Sequence, residues 1–361
     1  MAVPATALVA GDASGRLRPV TARRLAARSS PCPQPHRGPL VYHYPVKPFD
    51  RQHPIRGLFG DPRTISASVF GDDRLRDPGS YTFHNGVDIV ARTGTPVYPV
   101  VSGRARIGYA DEVIVSTDHG RVFQYFHIRP AVRAGQRVVA DRTVLGRVLP
   151  GWHHVHLTEI DGFRVHDPLD PGHLEPYVDR TVPSVDALVF SSPSGGAIDS
   201  RRLRGRVLIA ADASDQPPLP VPGSWEGLPV TPALVTWRLR RAGGRLVVPR
   251  RTVVDFRRTE PPNRDFWRVY ASGTYQNFPV FDHHYFFGRP GRYLFNLTPE
   301  PLDTDRLANG VYRITVRAAD VCGNASSLSE LIGVDNPRRR PAAGLEASGA
   351  TSRLRPAPAP S

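Results

Sequence analysis

Cysteine, lysine and methionine are almost absent from this 361-residue chain, which holds two, one and one of them. Two cysteines, Cys32 and Cys322, cannot build a small disulfide scaffold, and no CxxC pair offers a structural zinc site. They could pair across the chain, but sequence does not show proximity, and two buried or idle thiols are the expectation over that alternative. No apolar run approaches the roughly 18 residues of a membrane-spanning helix, so no transmembrane segment is expected. Long stretches with helical periodicity are also lacking. With 38 prolines and 32 glycines, the chain is suited to short strands joined by turns, and the expected fold class is all-β.

Hydrophobic residues make up 40% of the chain, enough for ordinary cores. Its length suggests two domains, at roughly 150 residues per domain. The formal net charge is +14 and is carried by arginine, since Lys47 is the only lysine. Such a surplus favours polyanionic surroundings, including anionic cell-wall polymers. A coding bias toward arginine would produce the same surplus. No nucleic-acid motif accompanies the charge, and aromatics are not interleaved with basic runs, so no nucleic-acid partner is expected.

Residues 1–40 are rich in Arg, Ala, Pro and Ser without period and are expected to be a disordered leader. Met1 to Ala10 is apolar and ends in a small residue but lacks a positive n-region, like the tail of a secretory signal. A β-rich unit follows over residues 41–175. Glu112–Thr117 and Arg121–Phe126, separated by Asp118-His119-Gly120, predict a hairpin that ends at His127. Arg137–Val139 and Thr143–Gly146 read as a strand pair, and His154–Ile160 as a further strand. Residues 176–232 read as a β-containing connector, with six prolines between Gln216 and Pro232. A second β unit spans 233–335. In it Tyr312, Ile314, Val316 and Ala318 alternate with polar residues, the mark of a half-buried strand. Residues 336–361 are expected to be a disordered tail.

Three fragments of the first unit carry chemistry: His84-Asn85-Gly86-Val87-Asp88, His127, and His154-Val155-His156 with its flanks. Imidazole and carboxylate suit zinc, and a hydrolytic site needs three protein ligands and one open position. Asp88, His84 and one of the paired histidines fill that quota, leaving two histidines to handle protons. Asn85-Gly86 predicts a turn that brings His84 and Asp88 to one point. On a strand, His154 and His156 project from one face, about 6.6 Å apart. His153 faces the opposite way. Asp282-His283-His284 has no third ligand at readable spacing and is taken as a strand-end feature. Asn296-Leu297-Thr298 and Asn324-Ala325-Ser326 match the glycosylation pattern, which is common by chance.

HxxxD, a histidine closing a strand, and HxH on a strand, in that order, resemble the lysostaphin-like (LytM-type) zinc metallopeptidases. His84 to Gly103, including Gly94-Thr95-Pro96-Val97, resembles that family's motif segment, and Gly135-Gln136-Arg137-Val138 and Leu145-Gly146 resemble later landmarks. The resemblance covers roughly residues 45–175. It implies zinc ligands at His84, Asp88 and His156 and catalytic histidines at His127 and His154, whose roles remain interchangeable. It also implies a secreted or envelope-facing endopeptidase that acts on the peptides of peptidoglycan. A non-catalytic relative that binds wall material or activates another hydrolase is the alternative. Two departures stand out. Leu157 and Thr158 precede Glu159, which puts that carboxylate on the other strand face. The loop before HxH is reduced to Leu149–His153. Gly310–Val316 and the residues after it resemble the last strands of immunoglobulin-like β-sandwich modules.

Overall fold

The computed structural model describes residues 25–28, 32, 41–64, 81–275, 280–281, 284–285 and 290–337. The described chain is nearly all β, in antiparallel sheets. The first sheet comprises β1 (Ile55–Gly57), β2 (Val87–Val90), β3 (Gly103–Ile107), β4 (Glu112–Ser116), β5 (Arg121–Phe126), β6 (Arg137–Val138), β7 (His154–Asp161) and β8 (Arg164–His166). Their order is β6-β3-β4-β5-β7-β2-β1, with β8 along the end of β7. β4 and β5 form the predicted hairpin, and Gly120 supplies its positive φ of 83°.

β7 is interior to this sheet, and its first six residues are buried. Strand parity divides them. Val155 and Leu157 join a hydrophobic core with Ile55, Val87, Ile89, Val113, Phe123 and Tyr125. His154, His156 and Thr158 take the opposite parity. The expected pairing of Arg137–Val139 with Thr143–Gly146 does not occur. Arg137–Val138 pairs with β3, whereas Gly146–Val148 lies between Ile128–Pro130 and Pro96–Val97 in a separate three-stranded sheet. Two runs close in sequence each found a better partner at longer range.

The second unit is built from β9 (Ser184–Ser191), β10 (Arg206–Ser214), β11 (Leu234–Arg241), β12 (Leu246–Asp255), β13 (Leu294–Asn296), β14 (Leu302–Asp303), β15 (Gly310–Ala319) and β16 (Ala325–Val334). β16-β15-β11-β12 form one sheet. β9-β10-β13, with β14 on β10, form the other. The expected alternation in β15 is present, with Tyr312, Ile314, Val316 and Ala318 all buried. The segment 176–232 is more than a connector. Val185, Phe190, Val207 and Ile209 lie in the same core as Trp237, Ile314 and Val316, because β9 and β10 would otherwise expose their apolar faces.

Two further expectations are overturned at the chain's start. Leu25–Arg28, placed in a disordered leader, forms a strand against β16. Cys32 and Cys322 are bonded in a disulfide across 290 positions, so neither is an idle thiol. Only the fold could reveal that proximity.

The units meet beside the histidine-bearing segments. Phe59 and Phe83 insert into the second unit's core. Asp61 Oδ1 accepts from Thr231 N (2.9 Å), Tyr270 Oη donates to the Gly60 carbonyl (2.8 Å), and Asn263 Oδ1 accepts from Phe83 N (3.1 Å).

Candidate metal centre

Sheet register assembles the site. His156 on β7 lies directly across from Asp88 on β2 and from Phe126 on β5. Directly opposed side chains in an antiparallel pair stand about 5 Å apart at Cβ, within reach of one ion. His127 follows β5 with a left-handed φ of 66°, which turns its ring away from the strand's course. The predicted Asn-Gly turn takes a different form. Gly86 has no positive φ and leads straight into β2. Its lack of a side chain matters because a Cβ there would collide with the Leu157 carbonyl and press on His156.

Three acceptor atoms converge. His84 Nε2 lies 2.9 Å from His156 Nδ1 and 3.1 Å from Asp88 Oδ1, and His156 Nδ1 lies 3.1 Å from that same oxygen. The outer nitrogens have partners of their own. His84 Nδ1–H donates to the Leu58 carbonyl (2.9 Å), which frees Nε2. Thr158 Oγ1 stands 2.7 Å from His156 Nε2 and can accept its N–H, which frees Nδ1. Lone pairs aimed at one point repel unless a cation lies between them. Zinc bonds of about 2.0–2.1 Å set tetrahedral ligand atoms roughly 3.3 Å apart, a small outward adjustment from this triangle. Imidazole, imidazole and carboxylate, each held from behind, fit such an ion. His84, Asp88 and His156 could therefore bind a metal.

Electrostatics favour the metal-ready protonation states. Burial lowers His84 to about 3, keeping its ring neutral at pH 7. Burial alone would raise Asp88, but His84, His154 and His156 outweigh it and hold the carboxylate well below its usual range. Arg63 Nη2 donates to Asp88 Oδ2 (3.4 Å), and Arg56 Nε lies 3.9 Å from the same atom.

The two other histidines flank this group. The rings of His127 and His154 are 4.7 Å apart between centroids. His154 Nδ1–H donates to the Trp152 carbonyl (2.6 Å), so Nε2 carries the lone pair, and Arg56 Nη2 donates to it at 3.3 Å. His127 Nδ1–H donates to Asp111 Oδ2 (3.2 Å), and its ring stacks on Trp152 at 3.6 Å with 9° between planes. Burial lowers His127 to about 4, against the opposing effect of Asp111. His127 is partly exposed, whereas His154 is buried.

Sequence reasoning missed several participants. Thr158 was detectable, since period 2 puts it beside His156 on the same face. Asp111, Arg56 and Arg63 carry no local signal, because each arrives from a distant segment. The guanidinium of Arg56 packs against the Trp225 ring at 4.1 Å, so the proline-rich stretch reaches the edge of the site. Glu159 faces away and is buried among Tyr42, Arg121 and His173. Of Asp282-His283-His284, only His284 lies among the described residues, in the short strand His284–Tyr285. Asn324 is fully buried.

No protein-family model and no curated protein matches the chain. The solved structure of an M23 metalloprotease, pseudoalterin from the deep sea, aligns with it at a TM-score of 0.26 and 14% identity, covering 40% of this chain and 83% of its own.

Proposed function

We propose that this chain is a zinc metalloendopeptidase acting on the peptide stems or cross-bridges of peptidoglycan. The carrying observation is the triangle of His84 Nε2, Asp88 Oδ1 and His156 Nδ1, backed by the Leu58 carbonyl and Thr158, with two more imidazoles alongside. When bound, zinc would acidify a water and polarise a carbonyl. His154 is the base in this reading: its Nδ1–H is engaged with the Trp152 carbonyl, so Nε2 is the atom that accepts a proton. His127 is the donor. Burial keeps its ring neutral, with Nδ1–H on Asp111, so Nε2 must first take up a proton, in a state that Asp111 stabilises, before it can donate to a developing oxyanion or the leaving amine. Trp152 fixes the plane of that ring. The disulfide agrees with an oxidising, extracytoplasmic location, and the arginine surplus suits an anionic wall. We read residues 41–175 as the LytM-type catalytic unit and residues 233–335, with β9 and β10, as an immunoglobulin-like accessory module.

One observation favours a second reading, a domain that holds metal but binds wall material or activates another hydrolase without turnover. His84, Asp88, His154 and His156 are all at most 7% exposed, and Arg56 occupies the lone pair of His154. Muropeptide analysis separates the two. The peptidase reading expects chelator-sensitive release of stem-peptide fragments by wild type and none by His154→Ala. Equal fragments from both proteins would refute the hydrolytic role, and no fragments from zinc-loaded wild type would support the second reading.

A further inference from the structure

We propose that Asp179, Asp215 and Asp320 form a separate, oxygen-only calcium site where the chain leaves the first unit and enters the second. The three residues are 1%, 2% and 3% exposed, and a carboxylate oxygen from each lies within 4.8 Å of the others. Three buried like charges at that separation repel strongly unless neutralised. The chain has 47 basic residues, yet among the described residues no Arg, Lys or His forms an ion pair with any of the three.

Only neutral donors approach the cluster. Asp179 accepts from Thr181 N (2.8 Å), Thr181 Oγ1 (2.5 Å) and Tyr177 Oη (3.2 Å). Asp320 accepts from Asn324 N (2.8 Å) and Nδ2 (2.6 Å), and Asp215 Oδ1 from Gln216 N (2.8 Å). Asp215 Oδ2 is buried with no hydrogen-bond partner. A buried carboxylate oxygen without a donor, on a residue that neighbours two other carboxylates, is the kind of acceptor a bound cation would satisfy. Burial raises all three carboxyls, Asp320 to about 7, with repulsion from neighbouring carboxylates adding at Asp215 and Asp320.

The ligand type selects the ion. Three carboxylates with no nitrogen or sulfur suit a hard cation, and an irregular cluster drawn from three segments suits the flexible coordination of calcium better than the octahedron of magnesium. Asp179 lies beyond the first sheet, Asp215 just after β10, and Asp320 in the turn after β15, two residues before the bridged Cys322. Bound calcium would tie these segments at one point.

The test uses full-length protein stripped with a chelator, in a His156→Ala background that disables the histidine centre, and calcium chloride as the only probe. Calorimetric titration is expected to show about one bound calcium, with a raised Tm. Asp215→Asn and Asp320→Asn are each expected to weaken binding at least tenfold. In chelator, Asp215→Asn should melt no lower than its parent, since it removes a buried charge. In calcium that order should reverse. Absence of binding up to about 10 mM, tenfold beyond the weak extracellular range, overturns the proposal. Binding left intact in both variants overturns it equally. Should either variant fail to fold, terbium luminescence of the parent decides: emission displaced by calcium supports the site, and no such emission sinks it.

Discussion

Replacing Thr158 by valine isolates the support behind one ligand. The two side chains are nearly equal in volume, Thr158 is fully buried, and its hydroxyl stands 2.7 Å from His156 Nε2. Without the hydroxyl, His156 has two options. It can keep its proton on Nε2 as a buried donor without an acceptor, at a cost of about 1–3 kcal/mol. Otherwise it can move the proton to Nδ1, where Asp88 Oδ1 waits at 3.1 Å. The second option blocks the atom that faces the metal. Both lower zinc affinity, and partners behind a ligand are typically worth about 10- to 100-fold, or roughly 1.4–2.7 kcal/mol. Competition against a chromophoric zinc chelator measures the change directly. Thr158→Ser keeps the hydroxyl and is expected to recover most of the loss. Zinc affinity within twofold of wild type for Thr158→Val would refute the reasoning, because it would mean that Thr158 does not set the ring's tautomer.

Asp111→Asn should lower turnover about tenfold to a hundredfold with zinc affinity unchanged, because it destabilises protonated His127 without touching a ligand; kcat and zinc titration together check this. Phe83→Ala empties a site in the second unit's core and should cost about 3–5 kcal/mol, read as a lower Tm by calorimetry. Glu260 is mostly buried, its Oε2 has no partner, and burial raises its carboxyl from 4.5 to about 8. The folded state therefore holds this proton more tightly than the unfolded chain. Its stabilising contribution is complete below pH 4.5 and disappears as pH rises through 8. Glu260→Gln should thus gain on the order of 4 kcal/mol relative to wild type between pH 5 and pH 8.5, measured by urea denaturation at both values.

What could be read from the chain followed from local rules. The alternation in Gly310–Ala319 and the hairpin around Gly120 are short-range consequences of side-chain period and turn chemistry, and both are present. The same period put His154 and His156 on one face and Glu159 on the other. Gly86 shows the limit of such rules. Asn-Gly is a turn signal, yet the glycine is required by the approach of β7, which local sequence cannot announce.

The amino-acid sequence by itself determined the all-β class and the residue types and order that could hold a metal. It did so because strand periodicity and donor chemistry are properties of neighbouring residues. Tertiary structure alone decided that Cys32 meets Cys322, that β9 and β10 belong to the second core, and that Thr158, Asp111 and Arg56 complete the histidine site. It alone brought Asp179, Asp215 and Asp320 together. Each of these depends on contacts between segments far apart in the chain, set by the burial of apolar faces and by strand register, and no local pattern encodes such distances.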